Sequence, residues 1–206
     1  MNLAKAKRIW QLSTGILALF IIAILIVWRR FDPKVNIFQW LFWLHLPLLM
    51  LHEFEEYIFP GGFKEFFNTK TLFALPKPHS NVPLGNPMIF IINIGAWVLI
   101  IIGALLANIA PWFGAMMVVF ELINVVGHGG LFQLRYRGYN PGFITATFLL
   151  LPYIAIFFYL SITKNLLNSA EYVLSIVGGI TLALLLPAFA AISIKSFKRK
   201  TSPDPR

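Results

Sequence analysis

Six stretches of this chain, about Ile9–Trp28, Ile37–Phe59, Pro87–Ile109, Trp112–Leu134, Gly142–Thr163 and Tyr172–Ile194, are long and mostly apolar. A helix needs roughly 20 such residues to cross the hydrocarbon of a bilayer. In hydrocarbon only a helix or a closed barrel satisfies its own backbone polar groups. The chain is therefore read as all-α, a polytopic membrane helix bundle of about six transmembrane helices. Composition agrees: 58% of the 206 residues are hydrophobic and 12% are charged, against roughly 45–50% and 25% in soluble domains. With a mean hydropathy of +0.76, the apolar surface exceeds what a water-soluble body of this size would bury. There is no cysteine, which excludes disulfides, Cys-ligated zinc and iron–sulfur clusters.

Net charge is +9, a value that in a soluble protein suggests nucleic acid. Here the basic residues fall between apolar runs, so positive-inside topology explains them and no nucleic-acid partner is expected. With the N-terminus in the cytoplasm, thirteen Lys and Arg lie inside (Lys5, Lys7, Arg8, Lys64, Lys70, Lys77, Arg135, Arg137, Lys195, Lys198, Arg199, Lys200, Arg206) and four outside (Arg29, Arg30, Lys34, Lys164). Both termini are expected to be cytoplasmic. The first span starts with basic residues but is long, ends at Trp28-Arg29-Arg30 and lacks a small-residue cleavage site, so a cleaved signal peptide is not expected. Residues 1–206 read as one integral-membrane domain with a basic tail at 195–206. The single long connection, Pro60–Asn86, carries Gly61-Gly62, an amphipathic piece Phe63–Phe67 and a Pro-rich stretch at Pro76–His79. It is expected to lie on the cytoplasmic membrane face or to fold over an opening.

Only eight acidic residues are present, and three sit together in His52-Glu53-Phe54-Glu55-Glu56, near the inner end of the second span. A charge at mid-bilayer costs about 2.5–3.5 kcal/mol on insertion scales. Carboxylates at a helix C-terminus also face the negative end of its dipole. The cluster therefore needs a compensating partner. At about 100° per residue, Glu56 follows His52 by one turn and Glu55 lies roughly 60° to the other side, so the three can converge; Glu53 is about 100° off, toward another helix or the headgroups. The fourth span carries Glu121, Asn124 and His128, which share one face at i, i+3 and i+7. Spans two and four run in the same direction, and His52 and His128 lie at matching depth. Seven residues above each, about 10.5 Å along the axis, stand His45 and Glu121. The two helices are expected to face each other with a histidine pair below and a His–Glu pair above.

Histidine and glutamate without thiolate suit zinc first, with manganese or iron as alternatives. His52, Glu55, Glu56, Glu121 and His128 are the candidate ligands of a divalent metal. Glu55, Glu56 and Asn124 are the candidate catalytic groups, with Asn124 as an orienting amide and His45 as a further ligand or proton relay. Arg135 and Arg137, at the mouth of the site, could hold an anionic headgroup; a stop-transfer charge pair before the Asn140-Pro141-Gly142 turn explains them slightly better. His79 is expected at the surface. The plain alternative for the whole set is a structural hydrogen-bond network between helices.

His52-x-x-Glu55-Glu56 on one helix, Asn124-x-x-x-His128 on a later one and the Tyr139-Asn140-Pro141-Gly142 turn after it resemble the bacterial membrane-protein family named for its HXXEE motif. The resemblance covers most of the chain. It implies a multi-pass protein of the bacterial plasma membrane with a site at His52, Glu55, Glu56, Asn124 and His128, and it supplies no substrate. The arrangement is not the His-Glu-x-x-His of zinc proteases, because position 56 is Glu and a second histidine must come from another helix. The leading expectation is an intramembrane metal-dependent hydrolase acting on a membrane lipid or other apolar substrate. A di-iron oxidative enzyme, a small proton- or metal-coupled transporter and a non-catalytic lipid-binding or partner-binding module are its rivals.

Overall fold

The structure, a computed structural model, describes residues 3–136 and 138–201. Arg137 and positions 202–206 of the basic tail lie outside the described residues. The described residues form seven helices: α1 Leu3–Phe31, α2 Ile37–Tyr57, α3 Phe63–Lys70, α4 Asn86–Leu105, α5 Pro111–Arg135, α6 Phe143–Thr163 and α7 Ser169–Thr201. There is no β-strand among the described residues. Among the described residues, five helices are long and apolar enough to cross a membrane: α1 over Ser13–Phe31, α4, α5, α6 and α7. The second span of the sequence reading, α2, is not among them. The acidic residues that make it interesting also dilute its apolar character.

Helix starts follow local chemistry. The Asn36 side chain accepts from Phe38 N at the head of α2, and α4 and α5 each carry proline in the first turn, where a missing N–H costs nothing. Before α7, Asn168 Oδ1 accepts from Glu171 N while Glu171 Oε2 accepts from Asn168 N, a reciprocal capping box. Two helices depart from the plain α-helices expected of them. Helix α5 turns π-helical over Val126–Phe132 and α6 over Ala146–Leu150, and these two wide segments pack against each other. Such π segments occur often at functional sites. The connection 60–86 holds the short helix α3, longer than the amphipathic piece read from sequence, and α7 runs well past its expected end at Ile194.

Helix α2 is the centre of the bundle. It packs against α1, α3, α4 and α6, and its side chains meet α5 through Phe42 at Gly114 and His45 at Glu121. Phe38, Leu41, Phe42, Phe157 and Ile154 form one buried cluster, and Leu49, Met50, Ile100 and Met117 a second, nearer the acidic motif. Ile16, Phe20, Leu184 and Ile192, by contrast, face outward on α1 and α7. In lipid the hydrophobic effect does not drive helices together, so close packing of small residues must. Gly114 shows the tightness: a Cβ there would lie 2.6–2.8 Å from three atoms of the Phe42 ring.

Gly114→Ala is accordingly expected to destabilise the bundle by about 1–3 kcal/mol through overpacking. Thermal unfolding in detergent measures it, and the loss should shrink in a Phe42→Ala background, where the clashing ring is gone.

Candidate metal centre

Three side chains from two helices converge at the lower end of the bundle. Glu56 of α2 lies with its Oε1 3.1 Å from His128 Nε2 of α5 and 3.7 Å from His52 Nε2, one turn back on its own helix. The two imidazoles meet edge to face, centroids 4.9 Å apart. His52 and His128 are 1% exposed and Glu56 5%. A ligand atom from each of the three lies within 4.8 Å of the others. Two ligands of a tetrahedral ion, each about 2.0–2.1 Å from it, stand about 3.3 Å apart. The separations from Glu56, 3.1 and 3.7 Å, bracket that value.

The far nitrogens of both rings are tied down. His52 Nδ1 lies 2.8 Å from Thr145 Oγ1 of α6. His128 Nδ1 lies 3.1 Å from Asn140 Oδ1, while the Asn140 amide nitrogen donates to the His128 carbonyl and to Gln133 Oε1. Because Asn140 spends its amide protons on those two acceptors, its Oδ1 accepts from His128 Nδ1–H. A neutral His128 therefore turns a bare Nε2 toward Glu56. Histidine ligands characteristically donate their second N–H to such a partner. Two lone pairs facing each other at 3.1 Å are repulsive unless a proton or a cation sits between them. Gly142 makes this geometry possible. Its φ is +99°, and a Cβ there would lie 2.7 Å from His128 and 2.8 Å from His52, so the turn touches both rings.

Glu55 is not brought to the histidines' Nε2 side. It accepts from Tyr139 Oη at 2.6 Å, Ile144 N at 3.0 Å, Thr145 N at 2.7 Å and Thr145 Oγ1 at 2.5 Å. Ile144 and Thr145 are in the first turn of α6, whose N–H groups have no partner in the helix itself. A carboxylate there also meets the positive end of the dipole. Burial, and then the hydrogen bond to Glu55, push the Tyr139 phenol above its ordinary range, so it remains a donor.

The expected upper layer is present and separate. His45 Nε2 lies 3.6 Å from Glu121 Oε2, and both residues are buried. Glu121 thus stands with His45 rather than with the lower group, because seven residues of helix, about 10.5 Å, separate it from His128. Asn124 joins the layers: its amide nitrogen donates to Glu121 Oε1 at 3.1 Å and meets His52 Nε2 at 3.2 Å. Glu53 points the other way and accepts from Trp97 Nε1 of α4 at 2.9 Å. Arg135 is exposed at the end of α5, and His79 is half-buried against Phe197. Helix α3 closes the end of the site: the Phe63 ring lies on His128, centroids 5.0 Å apart, and Phe66 packs on Phe132.

Sequence reasoning missed Thr145, Asn140, Gly142 and Trp97 as parts of the site. The Asn140-Pro141-Gly142 signal was visible, but only as a turn; a glycine after proline that must hold positive φ was the available hint. Residues 43–157 match the family described as "Protein of unknown function with HXXEE motif". No curated protein and no solved structure matches the chain.

Gly142→Ala is expected to cost about 1–3 kcal/mol in backbone strain and to displace both rings. A lowered thermal midpoint and shifted imidazole NMR resonances of His52 and His128 would register it. Gly138→Ala, where a Cβ meets nothing within 4 Å, is the control and should leave both unchanged.

Proposed function

The chain belongs to the HXXEE-motif family, and from that premise we propose that it is an intramembrane metal-dependent hydrolase of the bacterial plasma membrane. In this reading both termini are cytoplasmic and the substrate is a membrane lipid or another apolar molecule. One observation carries it: His52, His128 and Glu56 converge, buried, with the far nitrogen of each ring already hydrogen-bonded. Two histidines and one glutamate are a ligand set of catalytic zinc sites, which keep a fourth position open. An ion there would take the Nε2 lone pair that Asn124 otherwise meets.

Zinc would supply Lewis acidity, polarising an ester or phosphoryl oxygen and easing deprotonation of water. The protein's own part is to hold, orient and accept a proton. Glu56 and the two histidines would hold the ion. Asn124, on the Glu121 side of the centre, orients what enters. His45 and Glu121 lie one layer away, Glu121 Oε2 3.6 Å from His45 Nε2, and reach the centre through Asn124, so in this reading the pair accepts the proton by relay and not at the centre itself. Glu55 takes no direct part, since its oxygens hold α6. That engagement disfavours a two-iron centre, which needs bridging carboxylates.

Protein purified in detergent is expected to carry about one equivalent of zinc by elemental analysis, lost in Glu56→Gln and in His128→Ala. Two equivalents of iron would overturn the hydrolytic reading, as would metal-free protein whose thermal midpoint ignores added zinc. Glu121→Gln should keep the zinc while hydrolysis of a water-insoluble ester falls by a factor of about 10²–10⁴. Ion or proton uptake into proteoliposomes, abolished by the same substitution, would support a carrier instead.

A further inference from the structure

Thr145 belongs to no motif that singled out the site, yet its hydroxyl stands between two of the motif's residues. Oγ1 lies 2.8 Å from His52 Nδ1 and 2.5 Å from Glu55 Oε2; its other neighbour, the Gly142 carbonyl, is at 3.5 Å. We propose that Thr145 is a positioning residue for the metal centre: anchored by Glu55, it fixes His52 in the tautomer that carries its proton on Nδ1 and presents a bare Nε2 to Glu56 and His128. The proposal rests on the metal reading above for its consequence, but its geometry stands by itself.

The direction of each bond follows from counting protons. A carboxylate offers about four acceptor positions and no donor. Glu55 has four donors: Tyr139 Oη, Ile144 N, Thr145 N and Thr145 Oγ1. The two N–H groups can only donate and the Tyr139 hydroxyl donates at 2.6 Å, so the carboxylate takes the Thr145 hydroxyl at its one remaining position. The single hydroxyl proton of Thr145 therefore goes to Glu55, and toward His52 the oxygen has only a lone pair. At 2.8 Å the proton in that contact must come from His52 Nδ1. In a neutral imidazole Nε2 is then bare, and the Asn124 amide nitrogen, a donor, lies 3.2 Å from it. Asn140 does the same for His128 from the other side of the Gly142 turn, so both rings are set by residues at the start of α6 or just before it. The chain Glu55–Thr145–His52 makes docking of α6 on α2 and preparation of His52 one event.

Thr145→Val removes the hydroxyl and keeps the branched shape; Thr145→Ser keeps the hydroxyl. Zinc competition against a fluorescent chelator, on protein in detergent, is expected to show affinity 10–100-fold weaker in the valine variant and within a few-fold of wild type in the serine variant. Wild-type affinity in Thr145→Val would overturn the proposal, as would equal losses in both. Nitrogen-15 NMR of histidine-labelled, metal-free wild type is the second measurement, independent of how well either variant folds. It should show His52 protonated on Nδ1, and a proton on Nε2 would overturn the proposal. If wild type binds no zinc, the metal reading fails while the tautomer measurement still decides this one.

Discussion

A carboxylate buried among apolar helices has to be answered by donors, and Glu55 is answered by the start of another helix. Its position at the end of α2, unfavourable to the dipole of its own helix, is favourable to that of α6. The same pair of oxygens caps Ile144 and Thr145, takes the Tyr139 hydroxyl and holds Thr145 against His52. Remove that interaction and α6 loses its N-terminal acceptor, the turn before it loses its anchor and His52 loses its partner. The site is downstream of a helix cap.

The adjacent glutamates of the motif therefore have different work. Glu55 turns outward to the neighbouring helix and Glu56 turns inward to the histidines. Neighbouring positions on a helix are about 100° apart, so two adjacent acids serve two directions more easily than one. Glu53, a further step round, reaches Trp97 on α4. Three carboxylates within about one turn thus tie α2 to α4, α5 and α6, which is how so polar a helix comes to occupy the centre of an apolar bundle.

What could be read in advance was what a helix makes periodic. The i, i+3, i+7 stripe of Glu121, Asn124 and His128 and the equal spacing His45/His52 and Glu121/His128 placed two helices face to face in two layers, and the structure has His45 beside Glu121 and Glu56 between His52 and His128. The rotation of Glu55 was not legible, because its partners lie about 90 residues further on and are main-chain groups as much as side chains. Nor were the π segments, since a wider turn leaves no mark in an apolar run. Asn140 and Gly142 read as a turn because local chemistry cannot say what a turn is pressed against.

The aromatic cover over His128 has a consequence of its own. With Phe63 lying on the imidazole and the three converging side chains shut away from solvent, anything that enters or leaves this point has to displace part of the packing around it. If the centre holds an ion as proposed, the same cover that keeps solvent out would also slow its removal by a chelator added afterwards.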